Sequence, residues 1–223
     1  MSLLNSLLAY ALGVDSQALN KTSDLMTHFA TEGRVDDFQY FICGAHIGYG
    51  VAISKYVGKD EDGEVIIPKK IHHGKAAKML GKFGEGLDVY PVIMIGDQAF
   101  YNRNDVTSVY IPSSVKEIGI MAFYGCTNLT KIEIPEEVNE IRLATFANCE
   151  KLKSIILPNY IYEIGVDAFK NCSSLSSLTF PKYLSTIRCG AFRNCTSLKS
   201  VDLPKSVYVE EGAFDNFCII RYL

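Results

Sequence analysis

Tryptophan is absent from this sequence, and histidine appears only 4 times in 223 residues. No apolar run reaches the roughly 18 residues that a membrane-spanning helix needs, so a membrane span is not expected. There is no basic excess either. Lys and Arg number 22 against 25 Asp and Glu, a formal net charge of −3, which argues against a nucleic-acid partner whose phosphates would demand a basic stripe. Charge runs are missing apart from Asp60-Glu61-Asp62-Gly63. The N-terminal "MSLLNSLLAYALG" lacks the basic stretch of a signal peptide, and Asn5 and Ser6 interrupt its apolar core, so it reads as an amphipathic helix. The 7 cysteines are odd in number, which favours a reduced compartment.

Catalytic and metal-binding patterns are equally scarce. His28, His46, His72 and His73 all precede the regular part of the chain, and His72-His73 before Gly74 reads as an exposed turn. No Ser-His-Asp set or carboxylate pair can be assembled. "GKAAKMLGK" has too long a spacing for a phosphate loop, and Phe83 stands where Ser or Thr is required. "GAHIGYG" has no helix after it and reads as a turn. Asp60-Glu61-Asp62-Gly63 lacks the alternating oxygen ligands of a calcium loop and reads as a hairpin turn. The expectation is a non-enzymatic protein with no cofactor and no metal.

What the chain does have is a period. Pro112, Pro135, Pro158, Pro181 and Pro204 recur every 23 residues. So do Phe100, Phe123, Phe146, Phe169 and Phe192, before Phe214 arrives one residue early. Cys126, Cys149, Cys172 and Cys195 keep the register, as do Leu129, Leu152, Leu175 and Leu198. Each unit opens with an alternating strand such as "LTKIEIP", which proline ends because it has no N–H for the ladder. A short extended return such as "EVNEI" follows, then an Ala-Phe and a polar Asn-Cys bend. One such coil cannot enclose a core, whereas a stack buries each Phe, Leu and Ile against its counterpart in the next coil.

The pattern L-x-x-[IVL]-x-[IL]-P, then [SE]-[VI]-x-x-I-[GR]-x-x-A-F-x-x-C, resembles the BspA-type (Treponema pallidum-like) leucine-rich repeat family over roughly Val89 to Phe217. The expected fold is an α+β repeat solenoid: a leucine-rich-repeat stack of about five to six coils with an N-terminal helical and β capping region. Residues 1–37 are expected to be helical, with Asp15 or Ser16 capping the second helix and Gly33 ending it. Residues 38–88 form a β-rich cap, in which "AAKMLGKFGEGLDVY" is an inserted loop or short helix, and 89–223 hold the repeats. At the far end "FCIIRYL" reads as a last strand that stops without a polar cap, through truncation or because a partner covers it. The resemblance implies a bacterial surface or host-contact protein. Without a signal-peptide pattern a cytoplasmic location stays open.

The cysteine column is best read as small buried groups packed in a turn. Stacked coils lie about 4.8 Å apart, too far between parallel Cβ vectors for a disulfide. Zinc would need ligands converging from four directions, which one column does not offer. Cys43 and Cys189 stand outside the column, and Cys189 is read as replacing a glycine of sister repeats. Glu117, Glu140 and Glu163 share a column that reads as a solvated face or as a docking stripe for a basic partner.

Function is expected where repeats differ. On the strand face the variable columns are Ser108, Lys131, Ser154, Ser177 and Ser200, then Tyr110, Glu133, Ile156, Thr179 and Asp202. The return segments add Tyr160, Tyr162, Tyr183 and Tyr208. Apolar and aromatic side chains of this kind anchor protein interfaces. The expected function is protein–protein recognition on this face by an unidentified protein partner. The alternatives are carbohydrate or cell-wall binding through the tyrosines, and an intracellular inhibitor or scaffold that occludes a partner.

Overall fold

The structure, a computed structural model, describes residues 32–35, 37–45, 48–58, 62–72 and 89–223. The helices expected before residue 32, the insertion over 73–88, and His28, His46 and His73 lie outside the described residues. No helix occurs among the described residues, and the fold is a β-solenoid.

A cap precedes the coils. Strands β1 (Glu32–Val35), β2 (Phe38–Ala45) and β3 (Gly48–Tyr56) pair antiparallel, and β3 joins β6 (Val89–Ile95) in parallel. Strand β1 occupies ground where the second helix was expected to end. The Ala45↔Gly48 pairing closes β2 on β3, as the turn reading of "GAHIGYG" anticipates. Strand β4 (Glu64–Ile66) pairs with neither neighbour in this sheet, and β5 (Lys70–His72) lies antiparallel to β6. Strands β3 and β4 therefore do not form the hairpin expected at Asp60-Glu61-Asp62-Gly63, of which Asp60 and Glu61 lie outside the described residues. The chain leaves one sheet after Tyr56 and enters another at Glu64, because β4 pairs with the first repeat strand.

Each repeat has three sides. The first is a parallel ladder: β4, β7 (Ser108–Tyr110) and β9 (Lys131–Ile132), continued by β11 (Ser154–Ile156) and β13 (Ser177–Thr179), then β15 (Ser200–Leu203) and β17 (Ile219–Tyr222). Strand β17 is the last strand expected from "FCIIRYL". A second ladder begins at the cap, where β6 pairs with β8 (Glu117–Ile118). It continues through β10 (Glu140–Ile141), β12 (Glu163–Ile164), β14 (Thr186–Ile187) and β16 (Tyr208–Val209). Proline turns the corner between the two. Its carbonyl accepts from the third residue onward, as in Val138 N–H to Pro135 O at 3.0 Å and Leu184 N–H to Pro181 O at 3.1 Å.

The third side is a stack of turns that are hydrogen-bonded coil to coil. Phe123 N–H donates to Thr145 O at 2.9 Å, Phe146 to Ala168 at 2.8 Å and Phe169 to Ala191 at 2.8 Å. These turns need left-handed residues at two columns. One holds Met121, Ala144, Asp167 and Gly190; the other holds Asn102, Gly125, Asn148, Asn171 and Asn194. Asparagine tolerates this conformation because its side chain can bond locally. Here it bonds along the stack instead, Asn171 Nδ2 to Asn148 Oδ1 at 2.6 Å and Asn194 Nδ2 to Asn171 Oδ1 at 2.8 Å.

The early Phe214 has a local cause. Leu184 and Val207 both close the proline turn, yet Thr186 pairs with Tyr208, so nothing in the last coil matches Ser185. The deletion falls in the exposed return segment and spares the core.

Phenylalanine rings run through the centre in near-parallel contact. Centroid separations are 4.9 Å for Phe100–Phe123, 5.4 Å for both Phe123–Phe146 and Phe146–Phe169, 5.3 Å for Phe169–Phe192 and 4.8 Å for Phe192–Phe214. Tyr56 of the cap extends the stack, 5.2 Å from Phe100, and Phe38 lies 5.3 Å beyond it. Phe169 is fully enclosed, whereas Tyr162 is 43% exposed. Phe169→Ala should cost about 3–5 kcal/mol and lower the melting temperature by roughly 6–20 °C. Tyr162→Ala should cost about 1 kcal/mol or less, a difference that thermal unfolding of the two variants will read directly.

Candidate functional site

The cysteine column is accounted for by hydrogen bonding. Each thiol donates to the Phe carbonyl of the preceding coil: Cys126 to Phe100, Cys172 to Phe146 and Cys195 to Phe169 at 3.1 Å, and Cys149 to Phe123 at 3.2 Å. All four are buried and free of disulfides. Burial pushes the Cys126 and Cys195 thiols up to about 12, and Cys149 and Cys172 well above their ordinary value. A thiolate is the nucleophilic form, so these groups are inert by position.

Cys189 sits differently from the sequence reading. Gly165 N–H donates to Ile141 O and Arg188 N–H donates to Ile164 O, so the residue in the glycine column is Arg188. The side chain of Cys189 is half-buried, and the Arg193 guanidinium lies 3.9 Å from its Sγ. With native protein, a thiol reagent should modify the half-buried Cys189 first and the half-buried Cys218, whose thiol is pushed up by burial and by Asp215, more slowly. It should leave Cys126, Cys149, Cys172 and Cys195 unmodified until denaturant is added. Mass spectrometry of the labelled peptides checks this.

The glutamate column is not a stripe of open negative charge. Arg142 pairs with Glu117 (3.1 Å) and with Glu140, and Tyr162 donates its hydroxyl to Glu140 at 3.0 Å. Arg188 grips Glu163 with two bonds of 3.0 Å and reaches Glu210 at 2.8 Å. Glu210 in turn accepts from the Cys189 backbone N–H at 2.7 Å. The docking-stripe reading is thereby overturned, since Arg142 answers Glu140 in its own coil and Glu117 in the coil before, and Arg188 answers Glu163 in the coil before. Arg142 and Arg188 are visible in the sequence only as departures from glycine at one column, and their reach across coils is a property of the stack. Burial works against the charge on Arg142, but Glu140 and Glu117 outweigh it and raise its pKa.

Arg188 holds the Glu210 carboxyl below its ordinary 4.5. A depressed carboxyl stabilises the fold above its unfolded pKa, and that contribution is lost as pH falls through the folded value. The stability gap between the wild type and Arg188→Gln should therefore be widest near neutral pH and shrink on acidification below about 4.5, read from urea midpoints.

The proposed contact residues all reach solvent. Tyr110, Glu133, Ile156, Thr179 and Asp202 form one outward column of the first ladder, and Tyr160, Tyr162, Tyr183 and Tyr208 are exposed beyond the proline corner. Their surroundings differ. Glu133 pairs with Lys131 at 3.3 Å and Asp202 with Arg221 at 2.6 Å, so the charges of this column are met from within the face. Ile156 is 74% exposed with no charged neighbour in its own strand. Across the corner Tyr160, 65% exposed, stacks on Tyr183 with centroids 5.9 Å apart and planes 1° from parallel. Tyr162 instead belongs with Glu140, and Tyr208 lies on the second ladder opposite Thr186. The structure thus gathers Ile156, Tyr160 and Tyr183 around one corner and places Tyr162 and Tyr208 on another side.

A stack of 23-residue coils with two parallel ladders, one face variable and the rest repeated, defines a leucine-rich-repeat solenoid. The BspA type Leucine rich repeat region matches residues 93–220 in six copies. The chain belongs to this family. It is similar to the crystal structure of the Treponema pallidum leucine-rich repeat protein at 31% identity, covering 86% of each chain with a TM-score of 0.63. A leucine-rich repeat protein from Bacteroides ovatus is 30% identical, with 82% of this chain and 50% of that one covered and a TM-score of 0.63. A leucine rich cell surface protein from Faecalibacterium prausnitzii is 25% identical over 86% of this chain and 54% of the other, with a TM-score of 0.58. The chain spans about half the length of these last two. No match is found among curated proteins. Among the described residues no helix is long and apolar enough to cross a membrane.

Proposed function

We propose that this protein is a non-enzymatic recognition module that binds a protein partner on the variable face of the first ladder. The observation that carries this reading is the exposed apolar corner of Ile156, Tyr160 and Tyr183, with Thr179 and Glu133 on either side of Ile156 in the same face. Large exposed aliphatic and aromatic groups lose the most water-accessible surface on association and act as interface anchors. Glu133 and Asp202 border the patch as charges already compensated by Lys131 and Arg221, the arrangement of a polar rim.

Ring geometry favours a protein over a glycan. Sugar recognition by aromatic stacking requires an open ring face. Tyr160 and Tyr183 cover one face of each other and Lys182 Nζ lies 5.9 Å from the Tyr183 ring centroid, which leaves less ring face open to a sugar and suits contact with aliphatic and peptide groups. The Faecalibacterium prausnitzii relative is described as a cell surface protein, which supports a surface or secreted location for this chain.

The test is affinity capture from the native organism with the wild type and with the double variant Ile156→Asp, Tyr160→Ala. Loss of a specific protein with the variant, at unchanged melting temperature, is the expected result. Equal capture by both proteins removes this face from consideration, and binding on a glycan array that the same variant abolishes would substitute the carbohydrate reading.

A further inference from the structure

The recognition face has an electrical direction, and this inference rests on the reading above. Consider the two positions after Pro135, Pro158, Pro181 and Pro204, which stack in register along the corner. They are Glu136-Glu137 in one coil, Asn159-Tyr160 in the next, Lys182-Tyr183 in the third and Lys205-Ser206 in the fourth; the same column begins with Lys69-Lys70 after Pro68 and Ser113-Ser114 after Pro112. Glu136, Glu137, Lys182 and Lys205 are all exposed. Over these four coils the edge therefore passes from acidic, through the aromatic pair, to basic. Three coil steps separate the ends, about 15 Å at the ordinary strand spacing. On the opposite edge of the ladder the exposed Lys199 precedes the strand of the Lys205 coil, at the same basic end. Within the face itself Lys131–Glu133 and Asp202–Arg221 cancel internally, so they do not oppose the gradient.

We infer that the partner presents a dipolar segment: a basic group over Glu136 and Glu137, an apolar centre on Ile156, Tyr160 and Tyr183, and an acidic group over Lys182 and Lys205. The apolar centre supplies most of the affinity. The charged ends choose between two otherwise equivalent ways of laying a segment along a repetitive surface, since charge complementarity at a rim acts mainly on specificity and association rate.

Three short synthetic peptides with one shared apolar centre and different ends (basic and acidic, both basic, both acidic) test this by fluorescence anisotropy. At low salt the wild type should bind the dipolar peptide tightest, by roughly three- to tenfold, the scale of a few exposed ion pairs. That preference should vanish near 0.5 M salt, where exposed charges are screened over about 4–5 Å, while binding itself persists. Charge reversal in Glu136→Lys, Glu137→Lys should make the doubly acidic peptide the tightest. If the wild type prefers a peptide with like charges at both ends, or the reversal leaves the order unchanged, the dipolar partner is ruled out. The recognition face itself still stands in that case, provided Ile156→Asp weakens binding. Binding indifferent to Ile156→Asp, or none with any peptide, overturns the recognition face and the dipolar partner together.

Discussion

The ring of one coil must lie flat on the ring of the next. Everything else in the molecule accommodates that contact, repeated from Tyr56 through Phe214 at 4.8–5.4 Å. A ring stack at this pitch is commensurate with the spacing of hydrogen-bonded strands, so aromatic packing and backbone pairing reinforce each other at each step. The remaining devices keep the coil in register. Proline turns one corner, the Asn-Cys bend turns another, and each thiol reads the carbonyl of the coil beneath it.

Much of this was legible from spacing. Period, strand, corner and buried column all follow from side chains that repeat, and the structure puts Phe, Leu and Cys inside as the repeat requires. What was not legible depends on neighbours that differ. The link from Tyr56 into the Phe stack joins a residue outside the repeat to a residue inside it, and no periodicity announces it. Cys189 was misplaced by one column; the 23-residue spacing from Gly119 and Gly165 falls on Arg188, and the hydrogen-bond register agrees. The glutamate column looked like open charge because Arg142 and Arg188 reach Glu117 and Glu163 across a coil step, which the sequence does not display. The outward column of Ile156 was anticipated from the variable positions of the strand face, and Tyr160 and Tyr183 were added to it from the return segments. The mutual stacking of the two tyrosines, which bears on what they can bind, belongs to the pitch of the solenoid.

The two ladders divide the labour. On the second, carboxylates and guanidinium groups link two coils at Arg142 and three at Arg188, and a charge lost there is a charge left unanswered. On the first, most outward positions are small hydroxyl residues or groups with a single local partner, so substitutions change the surface with little effect on the core. A solenoid built this way can change its contacts without disturbing its frame. That separation suits a binding surface on one side and structural support on the other.

The single residue missing between Val207 and Tyr208 has a further consequence. A stack of interchangeable coils has a degeneracy: a growing chain can dock one coil out of step and still satisfy almost every contact. Landmarks that occur once remove it. The shortened coil is such a landmark near one end, and Tyr56 in place of a phenylalanine is another near the other. Between them they tell the folding chain which coil is first and which is last, an addressing function that a perfectly regular repeat could not perform.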